Sequence, residues 1–67
     1  MKLSDLNKRQ RKVMEKFRME PIKEKYLIGV AGVGKVTMQS LVDLDLLEYS
    51  EEKWGYRLTE NGLKLLN

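Results

Sequence analysis

Apolar positions follow helical spacing in the first third of the chain. At about 100° per residue, Leu6, Val13 and Phe17 fall in one narrow sector with Met14 beside them, while Lys8, Arg9, Lys12 and Lys16 occupy another flank. Ser4, with Leu3 ahead of it and Asp5 behind, has the chemistry of a helix N-cap, so a first helix is predicted to begin there. Pro21 pushes the residue before it out of helical backbone, which sets the end of that helix at Met19 or Glu20. Residues 22–28 fit two patterns, a short helix with Ile22 and Tyr26 four apart or a strand alternating through Tyr26 and Ile28.

Gly29, Gly32 and Gly34 interrupt regular structure and predict a turn before a helix running from near Lys35 to near Asp45. Placing Thr37, Leu41 and Leu44 inward leaves Lys35, Gln39, Val42 and Asp43 outward, with Ser40 at the edge and Met38 or Val42 open to contact. The period then changes to that of strands. Residues 46–50 and 55–58 read as a hairpin around Glu51-Glu52-Lys53-Trp54, with Gly55 taking a positive φ at the turn. Trp54 has two readings, a ring packed on the core, which is favoured, or an exposed partner-binding residue. Thr59 is placed to cap a short final helix whose Leu63, Leu65 and Leu66 return to the core.

At 67 residues the chain is one domain, residues 1–67, and a domain this small buries only roughly 60% of its unfolded surface. Its 42% hydrophobic and 34% charged residues are those of a globular chain rather than a disordered tail. Cysteine and histidine are absent, which removes disulfides, the usual zinc ligands and the commonest general base. No run approaches the roughly 20 apolar residues of a membrane span, and the first residues lack the core of a signal peptide, so the expected location is the cytoplasm and no membrane partner is expected.

The net charge of +3 conceals an asymmetry. Through Lys35 there are ten Lys and Arg against four Asp and Glu; from Val36 onward there are three against six. Five of the cations, Lys8, Arg9, Arg11, Lys12 and Lys16, lie within nine positions whose one acid is Glu15. They are either a solvated face or a set of phosphate contacts, and their mutual repulsion favours an anionic partner.

Gly29 to Lys35 satisfies G-x-x-x-x-G-K, the spacing of a nucleotide-binding loop, but Val36 stands where a Mg²⁺-ligating Ser or Thr is needed. Too little chain follows for the parallel sheet that such a loop requires, so a plain glycine-rich turn and no nucleotide are expected. No acid sits in an apolar run that would raise its pKa, and no His or Cys offers a nucleophile or base; neither an enzyme nor a cofactor is expected.

The segment Leu41-x-x-Leu44-x-Leu46-Leu47-Glu48, a hairpin, and Tyr56-x-Leu58-Thr59-x-x-Gly62 resembles the winged helix-turn-helix superfamily, in particular its small prokaryotic and phage regulators. The resemblance covers about the last half of the chain. It implies an α+β fold of three helices, the ambiguous segment at 22–28 being one of them, plus a two-stranded β-wing and a short C-terminal helix. It implies double-stranded DNA as partner and a role as a small transcriptional regulator or mobile-element accessory protein. Lys35, Thr37, Gln39 and Ser40 would then enter the major groove, with Gln39 suited to adenine and Lys35 to guanine or phosphate. Lys53 and Arg57 of the wing would reach the adjoining backbone or minor groove, while Glu51 and Glu52 oppose this. The alternative is a winged-helix module that binds protein without reading DNA, to which Asp43 and the acidic wing tip point. A homodimer would have to use the first helix or the wing.

Overall fold

The computed structural model describes residues 1–22 and 24–67 as a small α+β fold of three helices and a two-stranded antiparallel sheet. Helix α1 spans Lys8–Arg18, α2 Lys35–Asp43 and α3 Glu60–Leu66; strands β1, Leu47–Ser50, and β2, Gly55–Leu58, lie between α2 and α3.

The start of α1 differs from expectation. Ser4 lies within a short 3-10 turn, Leu3–Asp5, and the cap of α1 is Asn7, whose side chain accepts from the Gln10 amide at 2.8 Å while the Gln10 side chain accepts from the Asn7 amide at 3.0 Å. This reciprocal pair satisfies two backbone donors at once, which a lone serine cannot do. Leu6 is buried as expected, but from the segment ahead of α1 rather than from the helix itself. The helix ends at Arg18, three residues before Pro21.

No helix forms among the described residues of 22–28; Lys23 lies outside them. Leu27 instead makes an isolated antiparallel bridge to Tyr56, with Leu27 N donating to Tyr56 O and Tyr56 N to Leu27 O, both at 2.8 Å. The strand-like reading of this segment therefore holds at Leu27, and β2 is paired on both sides. Two backbone bonds to a sheet edge outcompete a turn of helix whose apolar positions are too few to define a buried face.

Helix α2 is phased differently from the sequence reading. Met38 and Leu41 are buried and Val42 packs against the core, whereas Leu44 is exposed and Thr37 half-buried. The helix is turned by less than one residue's angular step, because Leu44 belongs to its terminus and not to its face. There Asp45 takes φ 60° and Leu46 N donates back to Leu41 O at 3.0 Å, closing the helix with a left-handed residue.

The hairpin has the expected strands, in the register Leu47 to Leu58, Glu48 to Arg57, Tyr49 to Tyr56 and Ser50 to Gly55. The positive φ falls on Trp54, at 56°, and not on Gly55. Gly55 is required for a different reason: a Cβ there would stand 3.1 Å from the Leu27 carbonyl oxygen and 3.3 Å from the Tyr26 Cβ. Phe17, Met14, Leu41, Leu47, Leu58 and Val13 form the solvent-free centre of the core, and Leu63, Leu65 and Leu66 of α3 close over it. No helix among the described residues is long and apolar enough to cross a membrane.

Candidate nucleic-acid interface

The outward stripe of α2 follows from its phase. With Met38 and Leu41 inward, the exposed positions are Lys35, Val36, Gln39 and Asp43. Gln39 Nε2 donates to Asp43 Oδ1 at 3.1 Å, which orients the amide and leaves its second N–H and its Oε1 free. Val36 is 85% exposed, and Lys35 opens the helix directly after the cap residue Gly34.

Ser40 and Thr37 sit differently. Ser40 Oγ donates to the Thr37 carbonyl at 2.6 Å and accepts from Gln10 Nε2 at 3.0 Å, so the hydroxyl is held between α2 and α1. Thr37 is half-buried beside it. Of the four α2 residues assigned to the groove, Lys35 and Gln39 stand on the surface, Gln39 bonded to Asp43, while Ser40 ties two helices together.

On α1, Lys8, Arg9, Arg11, Lys12 and Lys16 are all exposed. Lys8, Arg9, Lys12 and Lys16 share one sector of the helix, and Arg11 projects away from it. Lys12 and Lys16 line a shallow depression of about 410 Å³ with Leu27, Gly29, Val30 and Ala31. Gly29 also lines a second depression, bordered by Lys35 and Gln39 of α2, so the basic flank of α1 and the start of α2 are neighbours across this glycine. The glycine-rich segment turns through a Val33 N to Val30 O bond of 3.0 Å, with Gly32 at φ 80°, and enters α2 after an antiparallel bridge rather than a parallel strand.

In the β1–β2 hairpin the two predicted cations part company. Lys53 is exposed in the turn, its amide bonded to Ser50 Oγ at 3.2 Å. Arg57 lies across the strands from Glu48 and pairs with it through Nε, while Nη1 donates to the Tyr26 hydroxyl at 3.2 Å and the guanidinium lies 5.8 Å from the Tyr26 ring centre. The hydrogen bond to Glu48 raises the Arg57 pKa further above its ordinary value, so the cation is permanent and already partnered.

Trp54 is 74% exposed, which corrects the expectation of a core-packed ring. Its left-handed backbone in the turn breaks the alternation that would have carried it inward with Tyr56. Tyr49 and Tyr56, paired across the strands with ring centres 4.9 Å apart, extend the inward face of the sheet beyond the cover of α2. The result is an open cleft of about 640 Å³ between α2 and the hairpin, walled by Ile28, Met38, Tyr49, Trp54 and Tyr56 and crossed at one side by Lys35 and Gln39.

The chain matches no protein-family model, and no curated protein or solved structure matches it.

The sequence reading missed Ile28 and Val36 as surface features, and for Trp54 its second reading, an exposed residue, is the one observed. The signal for Val36 was available: choosing Met38 with Leu41 as the buried pair places it opposite the core. For Ile28 there was none, since it is turned out by local backbone geometry at the end of a paired segment.

Among the described residues, no group of three or more acidic side chains is arranged to hold a metal ion.

Proposed function

We propose that this is a winged-helix domain, with an extended segment in place of the helix expected at 22–28, that binds double-stranded DNA as a small regulator or accessory protein, with α2 as its reading helix and the β1–β2 hairpin as its wing. The observation that carries the reading is the placing of the free stripe Lys35, Val36 and Gln39 between the basic flank of α1 and the wing turn bearing Lys53. Lys12 and Lys16 would hold phosphates and set register, while Gln39 and Lys35 meet base edges and Val36 packs on a thymine methyl.

The charges at the start of α1 add support. Its first turn carries Lys8 and Arg9 and no acid, which opposes the helix dipole and weakens the isolated helix. A phosphate backbone at that flank would relieve the conflict. Neutralising five or six phosphates gives a log-log salt slope near −5, at about −0.9 per contact.

Fluorescence anisotropy of a labelled duplex at low and near-physiological salt tests the reading. Micromolar binding that weakens with that slope is expected; absence of binding at low salt would reject it. The second reading, a protein-binding module of the same fold, draws on exposed Trp54 and Ile28 and on the carboxylates Glu51 and Glu52 of the wing turn. It predicts an affinity for partner that changes little with salt.

A further inference from the structure

A paired duplex offers the cleft between α2 and the wing little to bind. Stacked bases turn their faces to one another, and a duplex surface presents phosphates, sugars and base edges. Against these, the indole of Trp54, 74% exposed, and the side chain of Ile28, 82% exposed, would be covered without an apolar counterpart. The aromatic wall is nevertheless built into the fold: Tyr49 and Tyr56 are fixed by strand register, and Trp54 is turned outward by its own backbone.

We propose that the cleft receives a nucleobase unstacked from the bound DNA, so that this protein prefers duplexes containing unpaired bases to fully paired ones. The inference rests on the DNA-binding reading above. The chemistry of the lining selects this occupant. Planar bases stack on aromatic side chains whatever their identity, and the exposed rings of Trp54 and Tyr49 supply the faces, with buried Tyr56 as the floor beneath them. The charge is complementary as well: among the lining residues Lys35 is the one ionic side chain, and it is a cation, placed where the phosphate attached to the base would pass. Gln39 offers a donor and an acceptor to the base edge. Lys12 and Lys16 lie beyond Gly29 at the neighbouring depression and continue the path of the strand. Glu51 and Glu52 stand in the wing turn but do not line the cleft.

The same two residues, Lys35 and Gln39, belong to the outward stripe of α2 and to the cleft. A duplex lying on α2 therefore brings its backbone to the mouth of the cleft, and a base freed from pairing at that point has only to rotate out of the stack. Unstacking costs least where pairing is already absent, which is the source of the preference.

The test compares three labelled oligonucleotides of equal length by anisotropy: a blunt duplex, the same duplex with a short central tract of unpaired thymines, and the same tract built from abasic nucleotides. The thymine tract is expected to bind about 5- to 100-fold more tightly than the paired duplex, as one or two stacked bases provide, and to quench the emission of Trp54, the one tryptophan. The abasic tract and the Trp54→Ala variant with the thymine tract should both return to the affinity of the paired duplex, with W54A still binding that duplex within about twofold of wild type. Equal affinities for paired and unpaired duplexes, or a preference that survives W54A, would overturn the proposal while leaving duplex binding in place. Failure of all three to bind at low salt would remove the DNA reading itself, and the proposal with it, leaving the cleft to a protein partner. Trp54 is a surface residue, so W54A should fold; its circular dichroism and Tm are checked first.

Discussion

The Thr59 hydroxyl donates to the Asp45 carbonyl at 2.5 Å and accepts from the Gly62 amide at 3.1 Å, so one side chain closes the end of α2 and opens α3. Asn61 Nδ2 reinforces the join with a 2.6 Å bond to the Asp45 carboxylate. Replacing Thr59 by Ala removes an N-cap and leaves the Asp45 carbonyl without its donor, which should cost about 1 to 2 kcal/mol in urea unfolding. Thr59→Ser keeps both bonds and should stay within about 0.5 kcal/mol of wild type. Equal losses in the two variants would mean that the methyl group, not the hydroxyl, matters.

Gly62 explains why the Leu58-Thr59-x-x-Gly62 pattern ends in glycine. It lies in the first turn of α3 against the α2–β1 connection, where a Cβ would run into the Leu46 carbonyl oxygen and come within 3.0 Å of Leu58 Cδ2. The obstruction is backbone, and that carbonyl already accepts from Thr59 N at 3.1 Å, so it cannot yield without losing that bond to the residue that caps α3. Gly62→Ala should gain roughly 1 kcal/mol of helix propensity and lose more than that to displacement. A net fall in Tm of about 5 to 15 °C is expected from a loss of 1 to 2 kcal/mol in a domain of this size. An unchanged or raised Tm would show that α3 can shift outward freely.

In the DNA-binding reading, the residues assigned to α2 separate into readers and ties. Gln39→Ala should change sequence preference at one base pair by about 1 to 3 kcal/mol and leave stability nearly constant, because its partner Asp43 is exposed and solvates readily. Ser40→Ala should do the reverse. It strands Gln10 Nε2 at the α1–α2 contact and is expected to cost about 0.5 to 1.5 kcal/mol of stability without altering sequence preference. A cycle with Gln10→Ala isolates the bond: once Gln10 is gone, Ser40→Ala should lose most of its effect.

These distinctions mark how far the sequence could be read. The strands, the Thr59 cap and the apolar face of α1 were legible because each rests on a local pattern, alternation, capping chemistry or helical period, that survives folding unchanged. The phase of α2 was not, since Met38 and Leu44 are equally apolar and only the closure of the helix at Asp45 removes Leu44 from its face. The alternation at 22–28 allowed a strand as well as a helix, but that Leu27 would pair with Tyr56 is a backbone contact which no side-chain pattern records. Trp54 reversed its direction through one left-handed residue in the wing turn. The aromatic cleft, built from Ile28, Tyr49, Trp54 and Tyr56, needs both the long-range pairing of Leu27 with Tyr56 and these local backbone turns, and so was invisible beforehand.

Charge replacements divide the cations in the same way. Lys12 and Lys16 border the glycine turn before α2 and, in the DNA-binding reading, each neutralises one phosphate. Replacing both by Gln should flatten the log-log salt slope by nearly 2, at about 0.9 for each contact, and weaken binding by similar amounts on every sequence. Arg57 serves as the contrast. Its guanidinium is held by Glu48 of β1 and by the Tyr26 hydroxyl of the segment bridged to β2, and it does not line the cleft. Arg57→Gln should therefore leave the slope within half a contact of wild type, while loosening the pairing of the wing with the Tyr26–Leu27 segment. A slope that falls with Arg57→Gln but not with the lysine pair would move the phosphate path from α1 to the wing and reverse the orientation of the domain on its duplex.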